Sequence, residues 1–193
     1  MPLWGASDAD ESKPKNLTDA QKKEVFANAS GWVQEAGTKA TGNGNTNATP
    51  EVLVCLGDLN VGLGNADITE IEFVTTSFSK AAGGNIDVLV RFNEAVDVNT
   101  SGGTPTLTIT NNTSSSRNLT ADYNSGTGTN EIVFRETIAA GNAATNASDV
   151  LAIGVNAVAL NSGTIKDAGK SNNSTITNVA GIGTAAGTLT VAT

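Results

Sequence analysis

Asn85-Ile-Asp-Val-Leu-Val-Arg-Phe-Asn93 is the stretch that decides the fold. In an extended chain Ile86, Val88, Val90 and Phe92 fall on one side, and Asp87 and Arg91 on the other. Successive side chains of a β-strand point to opposite faces, so this alternation predicts a strand with one face in a core and one in water. Gly83-Gly84-Asn85 before it and Ser101-Gly102-Gly103 after it are turn clusters. The same period recurs outward in both directions. Ile71 and Phe73 alternate with Glu70 and Glu72, and Leu107 and Ile109 with Thr106, Thr108 and Thr110. Leu119, Ala121 and Tyr123 alternate with Thr120 and Asp122, and Ile132 and Phe134 with Val133 and Arg135. Leu151, Ile153 and Val155 follow, and Leu189 and Val191 close the series. About seven short alternating runs between Gly/Asn/Ser turns predict an antiparallel β-sandwich over residues 67–193. A parallel α/β fold would need helical stretches between the strands, and this part of the chain has none of adequate length.

Composition agrees. The chain has 193 residues, 38% hydrophobic but only 4% aromatic, so its core must be built from Val, Ile, Leu and Ala. Charged residues are 16% and the net charge is −8. Eleven cations spread along the chain make no basic stripe, which argues against a nucleic-acid partner and against an anionic membrane surface. No apolar stretch approaches the roughly 20 residues of a membrane-spanning helix. Nor do the first residues show a basic segment followed by an apolar one, so the expected place of synthesis and assembly is a cytoplasm.

The N-terminal third reads differently. Thr18 and Gln21 form a capping-box pattern, which predicts a short helix over about residues 19–29 with Val25, Phe26 and Ala29 on its apolar side. Gly31 would stop it, leaving Trp32 and Val33 as exposed apolar residues. Residues 37–50 hold Gly, Asn, Thr and Ala with no large apolar side chain and read as a loop or linker. Residues 51–56 read as a strand with Cys55 as a small buried residue. Residues 57–66 read as a second linker. The expected organisation is an arm over 1–56, a linker over 57–66 and the β-domain over 67–193.

The chemistry-bearing residues are few. There is no histidine, which removes the commonest general base and metal ligand. No catalytic residue, cofactor site or metal site is assigned. Glu70 and Glu72 share strand parity and are expected to face solvent. Asp97, Asp167, Asn172 and Asn173 are hard oxygen ligands in predicted loops, and a calcium site there is the alternative to ordinary polar turns. Gly62-Leu-Gly64 lacks the following helix that a nucleotide fingerprint needs.

Several segments carry a resemblance. Residues 87–98 (Asp-Val-Leu-Val-Arg-Phe-Asn-Glu-Ala-Val-Asp-Val) are followed by Gly103-Thr-Pro-Thr-Leu-Thr-Ile, Ala121-Asp-Tyr-Asn-Ser-Gly-Thr-Gly and Ile132-Val-Phe-Arg-Glu-Thr-Ile. Asn156-Ala-Val-Ala-Leu-Asn-Ser-Gly-Thr-Ile-Lys-Asp-Ala-Gly ends the series. Together they resemble a bacterial Ig-like, cadherin-like repeat of surface adhesins. The resemblance implies an Ig-like sandwich used as a spacer or binding module, without catalytic residues. Met1-Pro-Leu-Trp-Gly, Ser12-Lys-Pro-Lys and Gly31-Trp-Val are similar to the opening of small virion proteins of T4-like marine tailed phages. The fold expected is therefore all-β: an antiparallel Ig-like β-sandwich with an N-terminal extension containing one short helix.

The expected function is a non-enzymatic phage structural protein, foremost a capsid decoration or cement protein found in the virion. Trp4, Phe26, Trp32 and Val33 are the candidate interface residues, since tryptophans recur at the centres of interfaces. Packing on the flank of the sandwich is the other reading of the two tryptophans. The expected partners are the major capsid protein or tail proteins and further copies of the chain, with weak multivalent contacts to host glycans through loops such as 111–116 and 142–148. A tail, neck or fibre component and a glycan-binding adhesion module are the alternatives.

Overall fold

The computed structural model describes residues 14, 17–37, 45 and 47–193. Its strands are β1 (Val25–Asn28), β2 (Gly31–Gln34), β3 (Glu51–Cys55), β4 (Ile68–Phe73), β5 (Phe78–Ser79) and β6 (Gly84–Asn99). They continue with β7 (Thr106–Asn111), β8 (Leu119–Ser125), β9 (Thr129–Ile138), β10 (Val150–Ala159), β11 (Thr164–Asp167) and β12 (Thr188–Ala192). The helices are short: α1 (Asp19–Lys23), α2 (Leu59–Gly62) and α3 (Ala180–Ala185). The fold is all-β, as the period-two pattern predicts.

β6 organises the molecule. It is 16 residues long, and its apolar side, Ile86, Val88, Val90, Phe92 and Val96, is buried. β9 runs antiparallel along one edge from Gly84↔Ile138 to Arg91↔Glu131, where the register shifts before Val96↔Thr129. That irregularity interrupts the ladder between Arg91 and Val96. On the other edge β4 pairs with residues 88–92 and β11 with residues 96–99. The sheet then continues β9-β8-β7-β10-β12-β5. Its inward side chains, from Ile71 through Phe134 to Val191, form one apolar cluster. Two contacts depart from the expected antiparallel pairing: β12 runs parallel to β5, and β1 meets β6 in parallel at Ala27↔Glu94.

The N-terminal region corrects several expectations. The capping box forms, with Gln21 N–H donating to Thr18 Oγ1 at 3.2 Å and Thr18 N–H to Gln21 Oε1 at 3.0 Å. But the helix ends at Lys23 and does not reach residue 29. Val25-Phe-Ala-Asn becomes β1, paired with β2 from Val25↔Gln34 to Asn28↔Gly31. β-Branched and aromatic side chains favour a sheet, and one helical turn has little cooperativity with which to resist. Gly31 has φ of +131°, and a Cβ there would stand 2.0 Å from the carbonyl oxygen of Val54, so the glycine opens a strand where a helix stop is predicted.

Trp32 and Val33, expected to be exposed, are each 1% exposed. Trp32 packs with Val25, Ala27, Leu59 and Leu63 in a second, smaller core. The expected linker over 57–66 is therefore structural: α2 lies within it, and Leu59 and Leu63 come from it. Cys55, expected to be buried, is exposed on β3, the outermost strand of the sheet among the described residues. Most of the expected linker over 37–50 lies outside the described residues.

Candidate functional site

The four candidate interface residues meet different fates. Trp4 lies outside the described residues. Trp32 and Val33 are sealed by their own chain, so neither offers a side chain to a partner. Phe26 is half-buried and faces a pocket of about 280 Å³ between the first hairpin and β9. Phe26, Ala36, Pro50 and Ala95 give it mainly apolar walls, and Glu35, Gly128, Thr129 and Asn130 complete the lining.

Behind that pocket the folding of β1–β3 onto β6 brings together charges that are distant in sequence. Arg91 is the centre. It occupies the side of β6 opposite the apolar core, where alternation predicts solvent, yet the N-terminal hairpin covers it and it is 8% exposed. Its Nη1 donates to Glu70 Oε2 at 2.6 Å and stands 3.5 Å from Glu72 Oε1. Its Nε donates to Glu131 Oε1 at 2.5 Å and stands 3.7 Å from Glu35 Oε2. Lys23 at the end of α1 donates to Glu70 Oε1 at 2.9 Å. Glu70, expected to face solvent with Glu72, is thus 8% exposed and takes both cations. Local alternation places Glu70 on the face away from the core, but the N-terminal region covers that face.

The carboxylates respond differently to this setting. Glu70 is desolvated by burial, but the hydrogen bonds from Lys23 and Arg91 outweigh this and hold its pKa below the usual carboxylate range. Glu35 has the weaker claim on Arg91. Burial and the neighbouring charge of Glu131 push its pKa up to about 8, against the opposing hydrogen bond from Asn130 Nδ2 at 2.5 Å. Arg91 is held charged: desolvation is outweighed by Glu131, Glu35 and Glu70.

A second polar cluster joins α2 to the β-domain. Lys170 Nζ donates to the carbonyl oxygen of Asn60 and stands 3.6 Å from Glu94 Oε2 and 3.8 Å from Asp167 Oδ2. Asp167 is 1% exposed, and its Oδ1 accepts from the Ala66 N–H at 2.8 Å. This is where the possible calcium ligands are expected. They do not converge: Asp97 is exposed and accepts from the Gly169 N–H at 3.0 Å, while Asn172 offers its backbone oxygen to Asp167. The positive charge beside Asp167 comes from the Lys170 side chain. Among the described residues no group of three or more His, Cys, Asp or Glu is placed to hold a metal ion.

The loops expected to be free for surface contacts are tied together at their bases. Arg117 Nε and Nη2 bind the buried Asp149 at 2.9 and 2.6 Å, and Asp149 Oδ2 accepts from the Asn146 N–H at 2.8 Å. Arg117 holds the Asp149 carboxyl well below its usual range.

Sequence reasoning misses Glu35, Arg91 and Glu131 as a group. The one local signal is an arginine set between Val90 and Phe92 in a long strand. Its partners come from positions up to 56 residues away in the chain, and no spacing rule joins them. Comparison with family models, with curated proteins and with solved structures gives no match.

Proposed function

We propose that this chain is a non-enzymatic structural protein of a phage particle, foremost a capsid decoration or cement protein. The observation that carries this reading is the two-part sequence resemblance: a virion-protein opening, from Met1-Pro-Leu-Trp-Gly to Gly31-Trp-Val, joined to an adhesin-type Ig-like repeat. The fold supports it in two ways. The N-terminal region is tied to the β-domain by the Arg91 and Lys170 clusters. And among the described residues β3 ends the sheet with no strand on its outer edge and Val52 48% exposed, a surface on which a neighbouring subunit could add.

Burial of Trp32 moves the attachment element. It becomes the segment before Pro14, with Trp4, together with the β3 edge. Each bound copy would stabilise the assembled shell by mass action. The chain has no histidine to serve as a general base, which favours a structural role over a catalytic one. The glycan-binding reading recedes. Phe78, Phe92 and Phe134 are buried in the core and Phe73 and Tyr123 pack against it, which leaves Phe26 as the aromatic of the described residues facing an open pocket.

The test is removal of residues 1–13. Deleting residues 1–35 would remove α1, β1 and β2 whole, so the deletion must stop before Pro14. The truncated protein is expected to keep its β-sheet circular dichroism and melting temperature but to be missing from purified particles by quantitative mass spectrometry. Incorporation at the full-length copy number overturns the attachment reading. The copy number of the intact protein separates the variants: on the order of hundreds means a shell protein, and about six or twelve means a neck or baseplate ring.

A further inference from the structure

β3 ends its sheet among the described residues, and it lacks the features that usually guard an edge. Glu51-Val-Leu-Val-Cys55 holds no lysine and no proline, and its one charge stands at the first position. Other margins are shorter or covered. β5 has 2 residues, Asn173 bridges to β11 at Lys166, Thr175 bridges to Asp67 just before β4, and α3 packs on β4. What β3 offers outward follows from its register. Leu56 N–H donates to the carbonyl oxygen of Ser30 at 3.1 Å, so by antiparallel alternation the backbone N–H and C=O of Cys55 point away from β2. Cys55 and Val52 lie opposite Gly31 and Val33, alternate residues of β2, and so share one face of the sheet. Val54 and Glu51 lie opposite Trp32 and Gln34 and share the other face, and Leu53 is the residue the register skips.

We propose that the outer edge of β3 pairs antiparallel with β3 of a second copy of this chain, about a two-fold axis at Val54. The inference rests on the reading of this edge as an attachment surface and names its occupant. A two-fold axis normal to the sheet keeps each face with itself, so residues that meet across it must share a face. With Val54 opposite Val54 of the second copy, Cys55 meets Val52 and Glu51 meets Leu56, and each of these pairs shares a face. Setting Glu51 against Cys55 instead would join opposite faces. The charge pattern agrees. The two Glu51 carboxylates fall at opposite ends of the paired segment, each against a leucine, whereas a parallel arrangement would set Glu51 beside Glu51. A basic strand would find a single carboxylate on this edge, while a copy brings valines to match its own.

The contact is weak between isolated molecules. A segment this short buries well under the roughly 1,200 Å² of a stable interface. Each copy also carries a net charge of −8, so two copies repel at long range. Pairing of this kind belongs where neighbouring copies are held close together, as in an assembly. Salt separates the occupants by sign. It screens the repulsion between two acidic copies and so strengthens self-pairing, but it weakens the pairing of an acidic chain with a basic partner.

The experiment oxidises the full chain carrying Val52→Cys, at about 1 mM, with glutathione disulfide, and reads the products by non-reducing electrophoresis and peptide mapping. In the paired edge the introduced thiol stands opposite Cys55 of the second copy, at the roughly 4.5–5.5 Å between opposed Cα atoms that a disulfide spans. A covalent dimer joined from position 52 to Cys55 is expected, forming faster as salt rises. In the unsubstituted chain the two Cys55 residues are offset by two positions, roughly 8 Å apart and beyond disulfide reach, so little dimer is expected. Glu51→Cys puts its thiol on the other face from Cys55 and is expected to link at least about tenfold more slowly than Val52→Cys. No covalent dimer from Val52→Cys, an equal rate from Glu51→Cys, or a prevailing link between like positions overturns the proposal. In particles carrying Val52→Cys, a link to another copy supports it, and a link to a different protein overturns it and identifies the occupant. Incorporation after removal of residues 1–13 is measured separately, so self-pairing can fail while the attachment reading stands.

Discussion

The β-domain and the N-terminal region are built on opposite principles. The β-domain encloses one apolar cluster of 23 buried residues, drawn from every strand between β4 and β12. Among the described residues the second cluster has five buried members, Trp32 included, and much of the attachment of the N-terminal region is made by charged and polar groups: Lys23 to Glu70, Glu35 to Asn130 and Arg91, and Asn60 to Lys170. A core made by alternation is written locally in the sequence. A docking surface made by ion pairs exists only after the sheet has formed. The first should resist pH and salt, and the second should respond to both.

The largest expected effect comes from breaking each core separately. Phe134 is fully buried at the centre of the β-domain. Phe134→Ala should cost about 3–5 kcal/mol and lower protection of the whole β-domain together. Trp32→Ala should cost a similar amount, about 3–5 kcal/mol, but locally. Hydrogen exchange should then show the amides of β1–β3 losing protection while β6–β10 keep theirs. If Trp32→Ala opens every strand equally, the two regions are one cooperative unit and do not differ in this way. The Trp32 indole N–H is buried and has no hydrogen-bond partner among the described residues. Trp32→Phe should therefore be markedly milder than Trp32→Ala, since it keeps most of the apolar contact and removes the unpaired donor.

A smaller effect separates the regions by pH. Glu35 has a folded pKa of about 8 against an ordinary 4.5, so between those values the docked state holds a proton that the undocked state has released. Stability of docking must therefore fall as pH rises from about 5 to about 8, and level off above. Glu131, Arg91, Glu70 and Glu72 face this carboxyl from β9, β6 and β4, and Lys23 faces the group from α1. Glu70 titrates with the opposite sign. Its lowered pKa contributes stability above its ordinary value, and that stability is lost as pH falls through the folded value. Docking is thus expected to be strongest at mildly acid pH. Each tenfold change in a proton-binding equilibrium is worth about 1.4 kcal/mol, so the fall is on the order of a few kcal/mol. Melting followed by exchange in β1–β3 should show it, and Glu35→Gln should flatten it. A slope that persists in Glu35→Gln would assign the titration to another group.

The two regions also differ in how legible they are in the sequence. Ile86, Val88, Val90 and Phe92 announce a strand because the pattern that buries them repeats every two residues. The same rule misplaces Arg91 and Glu70: alternation identifies the face opposite the core, and cannot say that another part of the chain will cover it. Val25 and Phe26 read as helical because Thr18 and Gln21 start a helix. What ends it at Lys23 is pairing with Gly31–Gln34, which lies beyond any local window. Of the candidate site, Phe26 is legible and Glu35 is not, because nothing in Gln34-Glu35-Ala36 marks a carboxylate that will share an arginine with Glu131.

The smallest expected effect tests the edge that this arrangement leaves open. The run Val52–Leu56 suggests a buried strand, and in a central strand Cys55→Ser would place a hydroxyl in an apolar site and cost about 1–3 kcal/mol. In the folded chain Cys55 is exposed on β3, opposite Gly31, and no strand among the described residues covers its outer edge. Cys55→Ser should then change stability by no more than about 0.5 kcal/mol, measured by denaturant unfolding of dilute protein. The same argument makes Val52→Lys nearly neutral in dilute solution, because the side chain is 48% exposed and a charge on an open edge is tolerated there. Its effect should emerge instead in assembly. If the edge receives a neighbouring subunit, Val52→Lys lowers incorporation into particles without lowering the melting temperature, a separation that no core substitution in the β-domain can produce.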